Sequence, residues 1–373
     1  MCIFDRNNAN PMIELKRTYH PVGQGAFYTE VFMGPEKTEF VMVYDCGSET
    51  AVKDMERNLD DQIEEFKNSI GPNPHIDLLF LSHFHADHIN GLDKLLENVT
   101  VRKTIIPMLA SSVITLTRVR NFLKYNKGAQ AADAVIKELY LEGEHSDRFG
   151  EVVKVAPYRE DINVQENKHE GSDSILYSGS KLEYDFFWEF IPFNSVTPSD
   201  QRAVNFMKEL KKIPGALEGE NLNVNKLIRG CRKRVREAYR KAMQNANDNL
   251  YTLVVESKPA ENVNPKPDTR KSHAIYFGDF DCKKNDELWG RFKKFFDLDT
   301  IGTIQVPHHG SKENWKDEMK DGDSREYVVS SGSTNCYHHP DFWVVADIVR
   351  EGHVVHVVNE EIASKYEQCF RVF

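Results

Sequence analysis

Leu81-Ser82-His83-Phe84-His85-Ala86-Asp87-His88-Ile89-Asn90-Gly91 is the stretch that decides the fold of this chain. Three imidazoles and a carboxylate fall within six positions. The apolar run Ile76–Leu81 ahead of them reads as a buried strand, and Leu92–Val99 behind them reads as a helix. The histidines therefore sit on a loop at a strand end, where layered α/β proteins gather their ligands and reacting groups. Imidazole and carboxylate at this density suit a borderline-hard divalent cation. In an extended segment, positions i and i+2 point the same way, so His83 and His85 face one point in space. Asp87 and His88 then turn towards a second point nearby. One loop can thus serve two ions.

Two further segments offer partners. Tyr276-Phe277-Gly278-Asp279-Phe280-Asp281 places a carboxylate after a glycine at a strand end. Asp279 there can bridge two cations, and the same pair reads equally well as a plain turn. Gln305-Val306-Pro307-His308-His309-Gly310-Ser311 follows another apolar run. Its adjacent histidines suggest one ligand and one neighbour that orients it or touches substrate.

Around these segments the chain alternates strand and helix. Strands are predicted at Glu14–Tyr19, Ala26–Phe32 and Glu39–Tyr44, with a helix over Ala51–Ile70 closed by Gly71-Pro72. Residues 110–246 read as helical and polar, with Tyr184–Phe193 as one core strand. The segment 226–243 is the most basic helix. It carries Lys226, Arg229, Arg232, Lys233, Arg234, Arg236, Arg240 and Lys241 against an apolar stripe that includes Val235 and Ala238. Beyond it, strands are expected at Tyr251–Glu256, Ala274–Phe277, Thr303–Val306, Tyr327–Ser330 and His353–Val358. A helix is expected over Asp341–Arg350, and a short helix at the C-terminus.

Composition narrows the function. The 373 residues carry a formal charge of −10, which argues against a protein whose whole surface coats nucleic acid and leaves room for a local basic groove. No apolar run is long enough to span a bilayer, and the start lacks the pattern of a signal peptide. The scattered cysteines, without a C-x-x-C pair, read as reduced thiols in a cytoplasmic protein. No P-loop, G-x-S-x-G elbow or G-x-G-x-x-G fingerprint is present.

Taken in order, these pieces resemble the metallo-β-lactamase superfamily, and within it the ComEC-like branch, named for the hydrolase domain of a bacterial DNA-uptake channel. The matches are Val22-Gly23-Gln24-Gly25, Asp45-Cys46-Gly47, Ser82–Gly91, Asn249–Val254, Gly278-Asp279, His308–Ser311 and Ser331–Pro340. The resemblance implies an α/β fold, an αββα sandwich, as a single domain over 1–373. Insertions fall at about 110–180 and 195–246, the second a helical, partly basic cap near the active site. It also implies two divalent metal ions, zinc or manganese. His83 and His85 would hold one ion, Asp87 and His88 the other, with Asp279 between them and His308 completing the second site. His309 is the alternative to His308. Asn335 and His339 match positions near the substrate, and Lys312 is placed to meet a phosphate or to sit in solvent. Ala26 stands where the branch has Asp. No histidine lies between Phe193 and Asn249, where the superfamily's usual third ligand belongs, which leaves Asn194, Asp248, Asn249 or water.

The implied activity is metal-dependent hydrolysis by a metal-bound hydroxide, with Asp87, Asp279 or His339 moving protons. A phosphodiesterase or nuclease acting on DNA or RNA is the leading expectation, and a role in anti-phage defence with an activating protein partner goes with the branch. Arg232 and Arg236 in the cap suit a polyanion; the same charges also read as a solvated face. The alternatives are a small-molecule hydrolase acting on a cyclic nucleotide, a phosphorylcholine-type ester, a lactone or a thioester, and a scaffold with a vestigial site.

Overall fold

A computed structural model describes residues 13–50, 56–124, 128–141, 147–158, 168–170, 173–185, 187–194, 201–218, 221–223, 230–243, 252–260, 269–283 and 286–372. Its strands are β1 (Glu14–Tyr19), β2 (Phe27–Met33), β3 (Thr38–Cys46), β4 (His75–Phe80), β5 (Thr100–Pro107), β6 (Glu151–Ala156), β7 (Lys168–Glu170), β8 (Asp173–Tyr177) and β9 (Leu182–Tyr184). There follow β10 (Trp188–Asn194), the short pair β11 (Leu217–Glu218) and β12 (Asn221–Leu222), β13 (Leu253–Pro259), β14 (Ala274–Tyr276), β15 (Thr303–Gln305), β16 (Glu326–Ser330), β17 (Val354–Val358) and β18 (Tyr366–Arg371). One sheet has nine strands in the order β18-β1-β2-β3-β4-β5-β6-β8-β7, and the other has seven in the order β17-β16-β15-β14-β13-β10-β9.

The two sheets face each other. Tyr28, Phe32, Tyr44 and Phe80 of the first pack against Trp188, Phe190, Val255 and Tyr276 of the second. On the outer side of the first sheet lie helices α1 (Glu56–Ser69), α2 (Ala86–Ile89), α3 (Ser111–Lys124), α4 (Gly128–Tyr140), α5 (Gln201–Leu210) and α6 (Arg232–Met243), sharing one apolar cluster. On the outer side of the second lie α7 (Asp286–Phe295) and α8 (Phe342–Arg350). The result is the αββα sandwich. A buried polar knot joins its sheets. Arg17 Nε donates to Glu30 at 2.7 Å, and the Tyr276 hydroxyl and Ser257 Oγ each donate to the same carboxylate at 2.7 Å.

Three expectations need correction. The C-terminal segment is a strand, not a helix: β18 runs antiparallel to β1, pairing Tyr366 with Tyr19 and Arg371 with Glu14. Tyr366, Gln368 and Phe370 alternate with polar neighbours at period two, and the Gln368 amide reaches Thr303 Oγ1 of the other sheet at 3.0 Å. Residues 151–156, expected within a helical middle, and 173–177, expected within a loop near 161–180, are strands of the first sheet. The helix after the metal-type loop is one turn, Leu92–Leu95, and β5 follows it. The basic helix begins at Arg232; residues 224–229 lie outside the described residues.

Candidate metal centre

Four chain turns meet at one end of the sandwich. The first closes β3, where Asp45 has a left-handed backbone, φ 58°. Gly47 follows it, and a Cβ there would fall 2.7 Å from the backbone of Asp87 and His88, so only glycine allows the approach. The second turn is the 81–91 loop: Leu81 N still bonds Ile105 O, and Ala86 then starts a buried helical turn. The third is Gly278-Asp279 after β14, with Gly278 at φ 54° and its Cα against Ser82 and Thr252. The fourth is Pro307–Gly310, where His308 (φ 49°) and His309 (φ 56°) are both left-handed. Consecutive non-glycine residues in that region are costly, and the strain here turns two neighbouring rings in different directions.

The side chains converge. His83 Nε2 lies 2.8 Å from His85 Nδ1 and 3.6 Å from Asp279 Oδ2. His88 Nε2 lies 3.2 Å from Asp279 Oδ1. His309 Nε2 lies 3.6 Å from Asp87 Oδ2 and 3.7 Å from Asp279 Oδ1. Three groups able to hold a cation result, His83-His85-Asp279, Asp87-His88-His309 and Asp45-His83-His88, all buried, with ligand atoms within 4.8 Å of one another in each. In the third, Asp45 is already bonded to His88 Nδ1 and Ser82, which leaves the first two as the cation pair. Asp279 presents one oxygen towards each of these two.

The outer nitrogens are anchored, which fixes what the inner ones offer. Asp45 Oδ2 accepts from His88 Nδ1 at 2.7 Å, and the Ser330 carbonyl accepts from His309 Nδ1 at 2.9 Å. Ser82 Oγ donates to Asp45 at 2.6 Å and meets His83 Nδ1 at 2.9 Å. A carbonyl or carboxylate only accepts, so in each neutral ring Nδ1 carries the proton and Nε2 turns a lone pair inward. His88 Nε2 and His309 Nε2 are buried and make no hydrogen bond among the described residues. Buried ring nitrogens facing carboxylates at 3.2–3.7 Å are a donor set that a divalent cation can satisfy.

Electrostatics agree. Burial works against charge on His88, but Asp279 and Asp45 outweigh it and hold its pKa well above the ordinary value. Burial is likewise outweighed at His309, by Asp279 and Asp87. Burial opposes the charge on Asp279, yet His308, His88 and His309 hold its pKa well below the usual carboxylate range. Without a cation, positive charge on these rings balances the carboxylates; a divalent ion supplies that charge directly.

The remaining expected residues are spread around this centre. His308 Nε2 lies 3.7 Å from Asp279 Oδ2, with Nδ1 on Asn314 Oδ1 at 2.8 Å, and its side chain is more open than that of His309. The His339 ring stands 5.6 Å from His308 and 6.4 Å from His309, and burial followed by these neighbours lowers its pKa to about 3. Asn335 is a loop brace: its Oδ1 accepts from Tyr337 N and His339 N. Lys312 is exposed, with Nζ 3.7 Å from Asp341. Arg232 reaches the Leu123 carbonyl at 3.4 Å, and Arg236 is exposed. The Asn194 amide donates to Val155 O at 2.6 Å, so it is engaged in bracing the fold; Asp248 and Asn249 lie outside the described residues.

Asp45, Ser82, Arg120 and Glu49 were missed as parts of this centre. Asp45-Cys46-Gly47 is one of the motif matches, but nothing local to it in sequence ties its carboxylate to His88. Arg120, buried on α3, acts on His308 and on Glu49, whose pKa is raised to about 7 by burial and then by Asp87.

Residues 36–157 match the sequence family described as the metallo-beta-lactamase superfamily. Ribonuclease J of Mycoplasma pneumoniae is 27% identical over 214 residues, which take in 54% of this chain and 36% of that protein. Ribonuclease J of Mycoplasma genitalium is 24% identical over 213 residues, with the same shares. The chain thus spans little more than a third of the length of the curated relatives it matches. Among solved structures, unliganded yeast PDE1 is similar at 9% identity and a TM-score of 0.38, covering 97% of this chain and 99% of that one. MEM-A1, a subclass B3 metallo-beta-lactamase from a soil metagenome library, is similar at 10% identity and a TM-score of 0.30, covering 78% and 77%. Likeness at that distance says nothing about activity.

Proposed function

We propose that this chain, which carries the metallo-β-lactamase fold, is a metal-dependent phosphodiesterase that cleaves nucleic acid. The observation that carries the reading is the convergence of two buried His/Asp groups on opposite oxygens of one carboxylate, Asp279. His83, His85 and Asp279 would hold one cation, and Asp87, His88 and His309 the other; His308, more open than His309, would face substrate. The ions, zinc or manganese, would supply water ionised near neutral pH and positive charge against the phosphoryl oxygens.

The chain's own residues do the rest. Asp45, Ser82 and Ser330 hold the ligand rings in one tautomer and one orientation. Burial works against charge on Asp87, but His309 and His88 outweigh it and hold its pKa below the usual carboxylate range, so Asp87 would stay ionised at the centre as a ligand. His339, neutral at pH 7, offers a ring nitrogen to the leaving group. Arg120, buried, sets a fixed positive charge that acts on His308, and Lys312, exposed beside Asp341, would add a second cation. Nucleic acid as substrate is supported by the name of the matched relatives, ribonuclease J, and by those cations. The ComEC-like branch is supported by its motifs falling on the turns that build the centre: Gly25 and Gly47 pack against each other and against Asp87. A defence role and an activating partner rest on the resemblance alone. Among the described residues no helix is long and apolar enough to cross a membrane.

The test is cleavage by protein reloaded with Mn²⁺ or Zn²⁺. Single- and double-stranded DNA, RNA and a chromogenic phosphodiester would be offered, with Asp87→Ala as control. Cleavage by wild type and none by the variant is expected. Silence on every phosphodiester with both ions bound would overturn the reading.

A further inference from the structure

The rim beside His309 carries large rings in water. Tyr337 is 46% exposed, Phe342 72% and Trp343 58%. Phe84 and Trp315, also near the motifs, are buried in the core. The exposed rings are joined to the centre through the chain between them. The Asp341 amide donates to the Gly310 carbonyl at 2.9 Å, and Pro340 packs on Gly310 so closely that a Cβ there would fall 2.7 Å from it. One of the rings, Tyr337, also continues inward by ring contact. Tyr337 stacks on His339 at 5.7 Å and 24°, and His339 lies nearly parallel to His309 at 6.4 Å and 24°. Phe342 and Trp343 meet edge to face at 5.5 Å, with the Arg350 guanidinium 5.9 Å from the Trp343 ring centre. Two acids lie among these groups: Asp341 caps α8, accepting from Trp343 N at 2.9 Å, and lies 3.7 Å from Lys312 Nζ, and Asp347 lies 3.8 Å from Arg350.

We infer that Tyr337, Phe342 and Trp343 form a stacking platform for unpaired bases, so that the substrate is a single-stranded nucleic acid with its phosphate at the metal centre. The inference rests on the phosphodiester reading and specifies its substrate. A duplex hides its base faces; a single strand offers one to each ring while its phosphates meet Lys312 and Arg350. Stacking of this kind tolerates any base, because every base has a π face. The ring contact that runs inward to a metal-centre histidine passes through Tyr337, and Phe342 and Trp343 join the same rim through the Asp341–Gly310 hydrogen bond.

The chain has 4 tryptophans, and Trp188, Trp289 and Trp315 are buried, so Trp343 is the one that reports on contact at the rim. Full-length protein in EDTA would be titrated with a short oligothymidylate, and with the same strand paired to its complement. Saturable quenching by the single strand and little by the duplex is expected. Tyr337→Ala and Phe342→Ala should each weaken that binding roughly tenfold and raise the KM for single-strand cleavage in parallel. Single-strand cleavage without quenching would overturn the platform and leave the phosphodiester reading intact. Quenching without cleavage under any metal would support the platform and remove the phosphodiester reading. If Phe342→Ala converted a dimer to a monomer and left oligothymidylate affinity unchanged, the rings would belong to a second copy and the inference would fall.

Discussion

In the 81–91 loop every imidazole is buried and held by a named partner or turned towards a carboxylate. In α6, by contrast, Lys233, Arg234, Arg236, Arg240 and Lys241 stand in water, and only Val235, Ala238 and Met243 are buried. Both segments are dense in charge. The loop uses its charges on one another, whereas the helix uses its apolar stripe to dock and leaves its cations to solvent. Lys241 spends part of its charge on Glu209 at 3.3 Å, an exposed pair worth little. Charge density alone therefore does not mark a site; burial with unsatisfied donors does.

That contrast sets the size of each expected effect. Asp279→Ala removes the group shared by both halves of the centre and should cost on the order of a thousandfold in kcat/KM, with circular dichroism unchanged. If it kept full activity, the two groups would not form one site. Asp45→Asn touches no substrate, yet it loosens Ser82 and His88 together. Metal affinity should fall roughly 10- to 100-fold in a chelator competition, far more than any exposed cation of α6 would show.

The pH dependence follows from His88 and His309, whose pKa values are raised above the ordinary 6.5. A cation must displace those protons, so apparent affinity should climb with pH through neutrality by about tenfold per unit for each proton released. The metal-free protein should move the other way. The stability drawn from the charged His88 ring is complete below about pH 6.5 and is lost as pH rises through its higher folded pKa, which thermal melts across pH 6–9 would register. Affinity independent of pH would mean that these rings are not ligands. The smallest effect belongs to the helix: Arg236→Ala should shift stability by less than about 0.5 kcal/mol and lower the salt slope of nucleic-acid binding by at most about one.

How far the sequence reaches follows the same physics. The 81–91 loop was legible because metal chemistry demands rare residues at close spacing. Most strands were legible because apolar runs ended in glycine or proline. Strand β18 was not, since Tyr366–Arg371 is short and charged, and its pairing with β1 spans nearly the whole chain. The order of His308 and His309 in space was open because adjacency in sequence says nothing about two left-handed backbones in a row. Asp45 was legible as part of a motif and not as the anchor of His88, a contact made across 43 residues. The platform rings could not be separated from core aromatics by pattern; exposure did that, at 72% for Phe342 against 2% for Phe84.

The most direct test of the centre is a metal count per chain, by mass spectrometry of elements, on wild type, His309→Ala and His308→Ala reloaded with Zn²⁺. The proposed ligand set predicts close to two ions in wild type, a drop to about one in His309→Ala, and near wild-type loading in His308→Ala. Little metal in wild type, or loss of an ion with His308→Ala and none with His309→Ala, would contradict it.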